Sequence, residues 1–388
     1  MSGLYVHLPF CSIKCAYCGF AAFSGQGRSV PRYLGALERE AGFFPEFQPR
    51  TLYLGGGTPT ELKTEELAAL FEILSRRYGD LHALQEASVE ANPESLALDK
   101  LELFKRSGVS RVSLGLQVSQ ERLLKTIGRR HCWEDFLAAF RGGMERGFSM
   151  NVDLMLGLPG QGTADAMETL ERVLDLEPHH LSLYSLYVED KTLFSKRGVV
   201  VDEDLAREML SASMDRLLRA GYLHYEISNF ARPGHESLHN LNYWEDGRYL
   251  GLGCGAAGHL DGERYQNEDR LERYLSRVES GERPVAFRET LTGRRKLGET
   301  MMLGLRKTAG LAVTSEMERE FGGTIRNLAA LGLLSVEEDG EGHMRPTHLP
   351  TGRGAAARRR RRIRLSREGL FLGNAVFREF VEPEEIHS

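Results

Sequence analysis

The sequence predicts an α/β fold: a partial, TIM-like (β/α) barrel of six units, followed by a smaller, mainly helical C-terminal domain. Three observations predict it. Short apolar runs alternate with helical patterns over residues 1–225, which implies a parallel sheet with right-handed crossovers. Polar residues or glycines close several of the apolar runs, as expected where strand ends converge on one site-bearing face. Beyond residue 225 the alternation breaks down.

Each element has its own signal. Leu4 to Phe10 reads as a strand, and a helix over 31–44 starts at Pro31, whose ring suits a first turn. Thr51 to Leu54 runs into Gly55, Gly56 and Gly57; a helix over 64–77 follows, with Thr64 as N-cap. Glu86 to Ala91 is a strand, and the helix over 97–107 stops at Gly108. Arg111 to Gln117 precedes helical segments over 119–128 and 133–146. Met150 to Leu158 and His180 to Val188 complete the six strands, with helices over 164–175 and 203–220. Glu90, Gln117 and Asp153 each interrupt or close an apolar strand. A carboxylate buried there is costly unless paired, so strands ending this way on one edge point to a shared ligand.

Three regions follow: 1–225 as the barrel, 226–290 as a connecting region of loops and short strands, and 291–388 as the small domain. In the last, 296–334 reads as helical with breaks at Gly310 and at Gly322-Gly323, and Ile363 to Val381 as a strand and an amphipathic helix.

Composition narrows the function classes. With 388 residues, 41% hydrophobic and 27% charged, the chain is globular. No run of 18 apolar residues occurs and the start lacks a basic, then apolar, leader, so a cytoplasmic protein is expected. Five cysteines, at 11, 15, 18, 132 and 254, are an odd number, and three fall within eight residues. That is no disulfide framework; clustered thiols in a reducing compartment are more often metal ligands. The net charge of −5 is uneven: eight arginines lie between 353 and 367, leaving −13 on the rest. The run Arg358–Arg362 reads as a solvated segment or as a contact for propionates or anionic lipid. No recognition motif accompanies it, so nucleic acid is not expected.

Cys11-Ser-Ile-Lys-Cys15-Ala-Tyr-Cys18 follows the first strand directly. Three thiolates from one loop can hold three irons of a cubane cluster and leave the fourth iron open. Sulfur ligands also suit zinc, with His7 as the fourth ligand, so the spacing alone leaves both metals open. Gly253-Cys254-Gly255-Ala256-Ala257-Gly258 matches G-x-G-x-x-G literally, but its flanks lack the strand-to-helix context of a dinucleotide site.

The C-x3-C-x2-C loop after the first strand resembles the radical S-adenosylmethionine (SAM) superfamily. The resemblance continues in Gly55-Gly56-Gly57-Thr58-Pro59, Glu90-Ala91-Asn92-Pro93, Ser113-Leu114-Gly115-Leu116-Gln117, Gly128-Arg129-Arg130-His131 and Asp153–Gly160. Tyr225–Ala231 and His239-Asn240-Leu241-Asn242-Tyr243-Trp244 extend it, within the coproporphyrinogen-dehydrogenase/HemW branch. The resemblance implies a [4Fe-4S] cluster on Cys11, Cys15 and Cys18, and SAM contacts from Tyr5, Gly57, Thr58, Glu90, Gln117, Arg129 and Asp153. Two activities lie in this branch: a haem chaperone that hands haem to an acceptor haemoprotein, and an oxygen-independent coproporphyrinogen III oxidase. The oxidase pattern carries a further cysteine where this chain has Phe20, and a longer N-terminal extension. The His-Asn-x-x-Tyr-Trp motif favours the chaperone, with His239, Asn240, Tyr243 and Trp244 as candidate haem contacts. Loose membrane association would suit a haem donor. Gly19, Val118-Ser119 and Gly255-Ala256-Ala257 depart from the common pattern, and His259 is the nearest substitute for a missing histidine.

Overall fold

The computed structural model describes residues 1–338 and 361–381. Alternation along the strands sets the architecture. Ser2–Leu8 (β1), Thr51–Gly56 (β2), Glu86–Ala91 (β3), Arg111–Gln117 (β4), Ser149–Leu156 (β5) and His180–Ser185 (β6) lie side by side in that order, each pair parallel. Their outward residues are apolar and sealed: Leu4, Val6, Leu52, Leu54, Val89, Val112, Leu114, Val152 and Leu181 are at most 1% exposed. Burying such side chains contributes about 1.5–3 kcal/mol each, which holds the sheet to its helices.

The crossover helices are Val30–Gly42 (α1), Thr64–Tyr78 (α2), Leu98–Arg106 (α3), Glu121–Ile127 (α4), Trp133–Glu145 (α5), Thr163–Leu174 (α6) and Glu203–Arg219 (α7). All six expected strand–helix units are present. Thr64 is the first residue of α2, not its cap; its hydroxyl goes to Asp99, and Lys63 takes the cap position with Glu66 bonded back to its N–H. β5 ends at Leu156, short of the expected Leu158, because Gly157 turns the chain at φ 77°.

Residues 226–290 add strands to the same sheet. Asn229–Ala231 (β7) runs antiparallel to β6, and Arg248–Leu252 (β8) is parallel to β1. Beyond β8 come Ala257–Leu260 (β9), Glu263–Asn267 (β10) and Val285–Thr290 (β11), all antiparallel. The G-x-G-x-x-G match therefore links strand to strand, not strand to helix. Among the described residues the strand order does not close, so the barrel is partial.

Helix Leu238–Trp244 (α8) and the residues before it form a floor under the strand starts. Arg232 N bonds His179 O, His235 lies against Ser149, Glu86 caps α8, and His239 meets Thr51. Glu86 accepts from Leu238 N and His239 N, both at 3.0 Å, and from Ser237 Oγ at 3.2 Å, so a carboxylate sits at the helix N-terminus.

Contacts divide the chain into two units, the first holding 1–224, 228–243 and 247–290, and the second the short pieces 225–227 and 244–246 together with the chain from Leu291 onward. In the second, Met301, Phe321, Ile325, Ile363 and Val376 form a core at most 1% exposed. A three-stranded sheet, absent from the sequence expectation beyond its last strand, joins Leu311–Val313 (β12), Leu334–Glu338 (β13) and Arg361–Leu365 (β14). Helix Ser315–Ala330 passes straight through Gly322-Gly323 where a break was expected. A Cβ on Gly322 would lie 2.8 Å from Glu318 Oε1, so packing of that carboxylate uses the missing side chain. The arginine run is partly a strand: Arg361 pairs with Glu318 at 3.0 Å, Arg364 with Glu337 at 2.7 Å, and Arg362 donates to Ala309 O. Arg353 and Arg358–Arg360 lie outside the described residues. Among the described residues no helix is long and apolar enough to cross a membrane.

Candidate functional site

The inner faces of β1–β6 carry the other half of the alternation, and they are polar. The centre of a closed (β/α) barrel is usually filled by branched aliphatic side chains. Here Asn151 Nδ2 donates to Ser113 Oγ at 2.7 Å and to Asp153 at 2.8 Å, and Ser113 Oγ donates to Asp153 at 2.8 Å. On the neighbouring strands Tyr53 Oη donates to Glu90 at 2.8 Å, and Gly56 N does so at 3.1 Å. Burial pushes the Glu90 carboxyl up to about 7; the Tyr53 and Gly56 bonds resist this and the charge of Asp153 adds to it. Burial also raises Asp153, against the bonds from Ser182, Ser113 and Asn151.

The cysteine loop covers the carboxyl ends of these strands. Phe10–Cys11 pairs with Phe23–Ser24, Gly57 N donates to Leu8 O at 2.9 Å, and Thr58 N to Phe10 O at 2.8 Å. A Cβ on Gly57 would stand 2.6 Å from Leu8 O and 2.7 Å from Phe10 O, so only glycine lets these backbones approach. Burial pushes the Cys11 thiol up to about 11 and raises Cys18 as well. Such thiols ionise when a metal takes them. Cys15 and Cys18 face Cys11, but among the described residues no three Cys, His, Asp or Glu side chains are gathered to hold one metal ion, so the trio suits a polynuclear cluster in which each sulfur holds its own iron. His7, the fourth ligand a zinc site would need, has both ring nitrogens engaged, with Tyr5 Oη at 2.9 Å and Ala21 O at 2.8 Å.

A chain of contacts joins loop to lumen. Cys11 Sγ lies 3.7 Å from Thr58 Oγ1, Asn92 Nδ2 donates to that oxygen at 3.1 Å, and Arg129 Nη1 donates to Asn92 Oδ1. Arg129 Nη2 reaches Tyr17 Oη at 3.5 Å, while its Nε is buried with no partner among the described residues. Gln117 sits beside it in the left-handed region at φ 69°, where the pairing of β4 with β5 slips by one residue. Strain in a non-glycine residue clusters at functional sites, and the slip re-aims the side chain. Tyr5 joins through its ring, 6.2 Å from that of Tyr53. Gly57, Thr58, Glu90, Gln117, Arg129, Asp153 and Tyr5 thus belong to one connected lumen.

A family model described as the radical SAM superfamily matches residues 5–173. The chain is 35% identical to the protein named heme chaperone HemW from Bacillus subtilis, across 98% of this chain and 99% of that one. It belongs to the HemW family. The HemW of Lactococcus lactis is likewise 35% identical, over 97% and 96% of the two chains, and that of Escherichia coli 37% over 66% and 69%. The solved coproporphyrinogen III oxidase of Escherichia coli, described as a radical SAM enzyme, superposes with a TM-score of 0.79 over 98% of this chain and 90% of that one. At 24% identity that likeness establishes the shared fold.

The His-Asn-x-x-Tyr-Trp motif of this HemW-family chain lies at the opposite end of the strands from the cysteine loop. His239 is 0% exposed; its Nδ1 lies 2.9 Å from Thr51 Oγ1 and its Nε2 2.8 Å from Tyr243 Oη, and its ring stacks on Tyr53 at 5.3 Å. Binding iron through either nitrogen would break one of those bonds. Asn240 and Tyr243 are half-buried, and Trp244 falls in the second unit, with the Arg306 guanidinium 4.9 Å from its ring. His259 lies buried in β9, its Nδ1 3.3 Å from Gly247 O. Asn92, Tyr53 and Tyr17 were not singled out from the sequence as site residues. Strand alternation identifies Tyr53, two residues before Gly55 on the same face; Asn92 and Tyr17 lie in loops, where no periodicity operates.

The residues present fit a [4Fe-4S] cluster with SAM. The unpartnered Arg129 Nε is a donor for a carboxylate, the Gly57 cradle admits backbone contact, and Glu90 and Asp153 offer acceptors for an amine or hydroxyls.

Proposed function

We propose that this protein is a haem chaperone that holds a [4Fe-4S] cluster and SAM, binds haem, and passes it to an acceptor haemoprotein. What carries this reading is the 35% identity over 98% of the chain to a protein named heme chaperone. In this reading Cys11, Cys15 and Cys18 bind three irons. When bound, a reduced cluster with SAM supplies one-electron cleavage of a carbon–sulfur bond.

The chain's own residues orient the ligand. Arg129 pairs a carboxylate through Nε. Glu90 and Asp153 accept hydrogen bonds, and Glu90, with its carboxyl at about 7, takes its charge most readily when a cation lies beside it. Gly57 and Thr58 bring backbone groups against the ligand, and Tyr5 and Gln117 border it. We assign haem contact to the floor segment through Asn240 and Tyr243, with His239 as an iron ligand only on release from Thr51 or Tyr243. Any membrane contact would run through the basic segment, in which Arg361, Arg362 and Arg364 also make protein contacts.

The second reading, a coproporphyrinogen oxidase, is favoured by the fold likeness alone. Anaerobic reconstitution of the cluster, followed by haem titration and coproporphyrinogen turnover side by side, separates the two. Haem binding without turnover is expected; turnover without haem binding would overturn the chaperone reading.

A further inference from the structure

At the starts of β4, β5 and β6, away from the cysteine loop, cationic and imidazole donors gather without a buried counter-charge among the described residues. Arg111 is 5% exposed. It donates to Ser149 Oγ at 3.2 Å and to His235 O at 3.0 and 2.9 Å, and forms no ion pair among the described residues. A buried guanidinium without a counter-charge is expensive. Nearby, Arg232 Nε is buried without a hydrogen-bond partner among the described residues; its guanidinium lies 5.4 Å over the Tyr222 ring, and its Nη2 is 3.3 Å from Glu177, whose side chain is 77% exposed and well screened.

Two half-buried histidines complete the corner. The rings of His179 and His235 lie 4.4 Å apart and inclined by 31°. His179 Nδ1 accepts the Met150 N–H at 3.2 Å, which places the proton of the neutral ring on Nε2. Ser149 Oγ accepts from Arg111 and lies 3.1 Å from His235 Nδ1; with the hydroxyl hydrogen turned to Nδ1, that ring too carries its proton on Nε2. Neither Nε2–H has a partner among the described residues. The charged and titratable groups facing the pair are Arg111, Arg232, His180, Glu236 and Glu177, and Glu236 already accepts from Gly234 N at 3.0 Å. Burial lowers both imidazoles; at His179 the neighbouring His235 and then Arg232 and Arg111 add to it, and at His235 Arg111 and Arg232 add to it against the opposing charge of Glu236.

We propose that Arg111, Arg232, His179 and His235 form a binding site for a small oxyanion, a phosphate or carboxylate group, at the amino end of the strands. Two guanidiniums and two imidazole N–H groups match the lone pairs of such a group, and the anion supplies the counter-charge Arg111 lacks. The site stands independently of the haem reading. It lies on the same floor segment as the His-Asn-x-x-Tyr-Trp motif, so a porphyrin propionate and a free phosphate are the two sources to compare.

The test uses the full chain with its cluster reconstituted and its histidine rings labelled for NMR. Inorganic phosphate, added at constant ionic strength, is expected to move the His179 and His235 resonances together and saturably, and to raise both pKa values. Arg232→Gln and His235→Gln, at half-buried positions, are expected to weaken phosphate about tenfold each. No saturable movement, or unchanged affinity in both variants, overturns the site. Haem that displaces phosphate while haem dimethyl ester does not identifies the propionate as the source. Failure of both to displace it identifies free phosphate. Haem binding read separately by absorbance keeps this outcome distinct from failure of the chaperone reading.

Discussion

Replacing Glu90 by glutamine tests the lumen most directly. The carboxyl moves from 4.5 to about 7 on folding, chiefly through burial. The shift corresponds to about 3 kcal/mol, at 1.36 kcal/mol per pKa unit. Because the folded-state value is raised, the native protein binds the extra proton between pH 4.5 and 7. Its stabilising effect is present below pH 4.5 and is lost as pH rises through 7. Glutamine is neutral at every pH and escapes that loss. It exchanges one acceptor oxygen for a donor, so either Tyr53 Oη or Gly56 N loses its bond, costing about 1 kcal/mol. Glu90→Gln should therefore be about 2 kcal/mol more stable than the parent at pH 8 and about 1 kcal/mol less stable at pH 4.5. Urea unfolding of both proteins at the two pH values reads this crossover. Glu40, also raised to about 7 by burial, is common to both proteins and cancels. A variant less stable than the parent at both pH values, by the same amount, would refute the buried-charge argument. SAM binding should fall in the variant at every pH, since the acceptor for a cation is gone.

Other outcomes follow from the same geometry. Cys11→Ser, Cys15→Ser and Cys18→Ser should each abolish the brown cluster absorbance; a full iron complement in any of them counts against the ligand assignment. Gln117→Gly should leave stability within about 1 kcal/mol of the parent, because relief of the left-handed backbone offsets the added chain entropy. Its SAM affinity should drop along with that of Gln117→Ala; retention of affinity by the glycine variant would show that the side chain makes no contact. Tyr243→Phe leaves His239 Nε2 buried and unpaired, so it should cost about 1–3 kcal/mol in urea unfolding. An unchanged midpoint would mean that the floor does not depend on that bond.

The barrel was legible because its strands are two-faced. Leu52 and Leu54 alternate with Thr51, Tyr53 and Gly55, and the same spacing on β3–β6 gives both the period and the direction of the site. The cysteine loop was legible from spacing alone. What escaped was set by long-range pairing. Residues 226–290 read as loops with short strands, rich in glycine and polar residues; what local pattern does not show is that those strands extend the barrel sheet. Asn92 bridges Thr58 to Arg129 only because two loops from different units of the barrel meet. His239 illustrates a different limit. A histidine in a motif shows that an imidazole is needed, and its partners, Thr51 at the start of β2 and Tyr243 one turn along α8, decide what it does in this conformation.

A polar lumen must be satisfied from within or by a ligand, and this one divides the task by layer. Asn151 is the internal hub: it bonds Ser113, Asp153, Ser182 and His180. Nearer the cysteine loop, Arg129 Nε has no partner among the described residues and burial raises the Glu90 carboxyl to about 7. Two classes of variant should therefore separate. Asn151→Ala removes the hub and strands several buried polar groups, at about 1–3 kcal/mol for each, so it should unfold at markedly lower urea. Arg129→Gln removes a buried guanidinium that has no carboxylate partner and leaves an amide able to donate to Asn92, so stability should hold or rise. SAM affinity should nonetheless fall by tenfold or more, since a charge-assisted bond to a carboxylate is lost. If Arg129→Gln binds SAM like the parent, the orphaned donor belongs to the fold and not to the ligand. If it unfolds like Asn151→Ala, the two layers are a single network and the division fails.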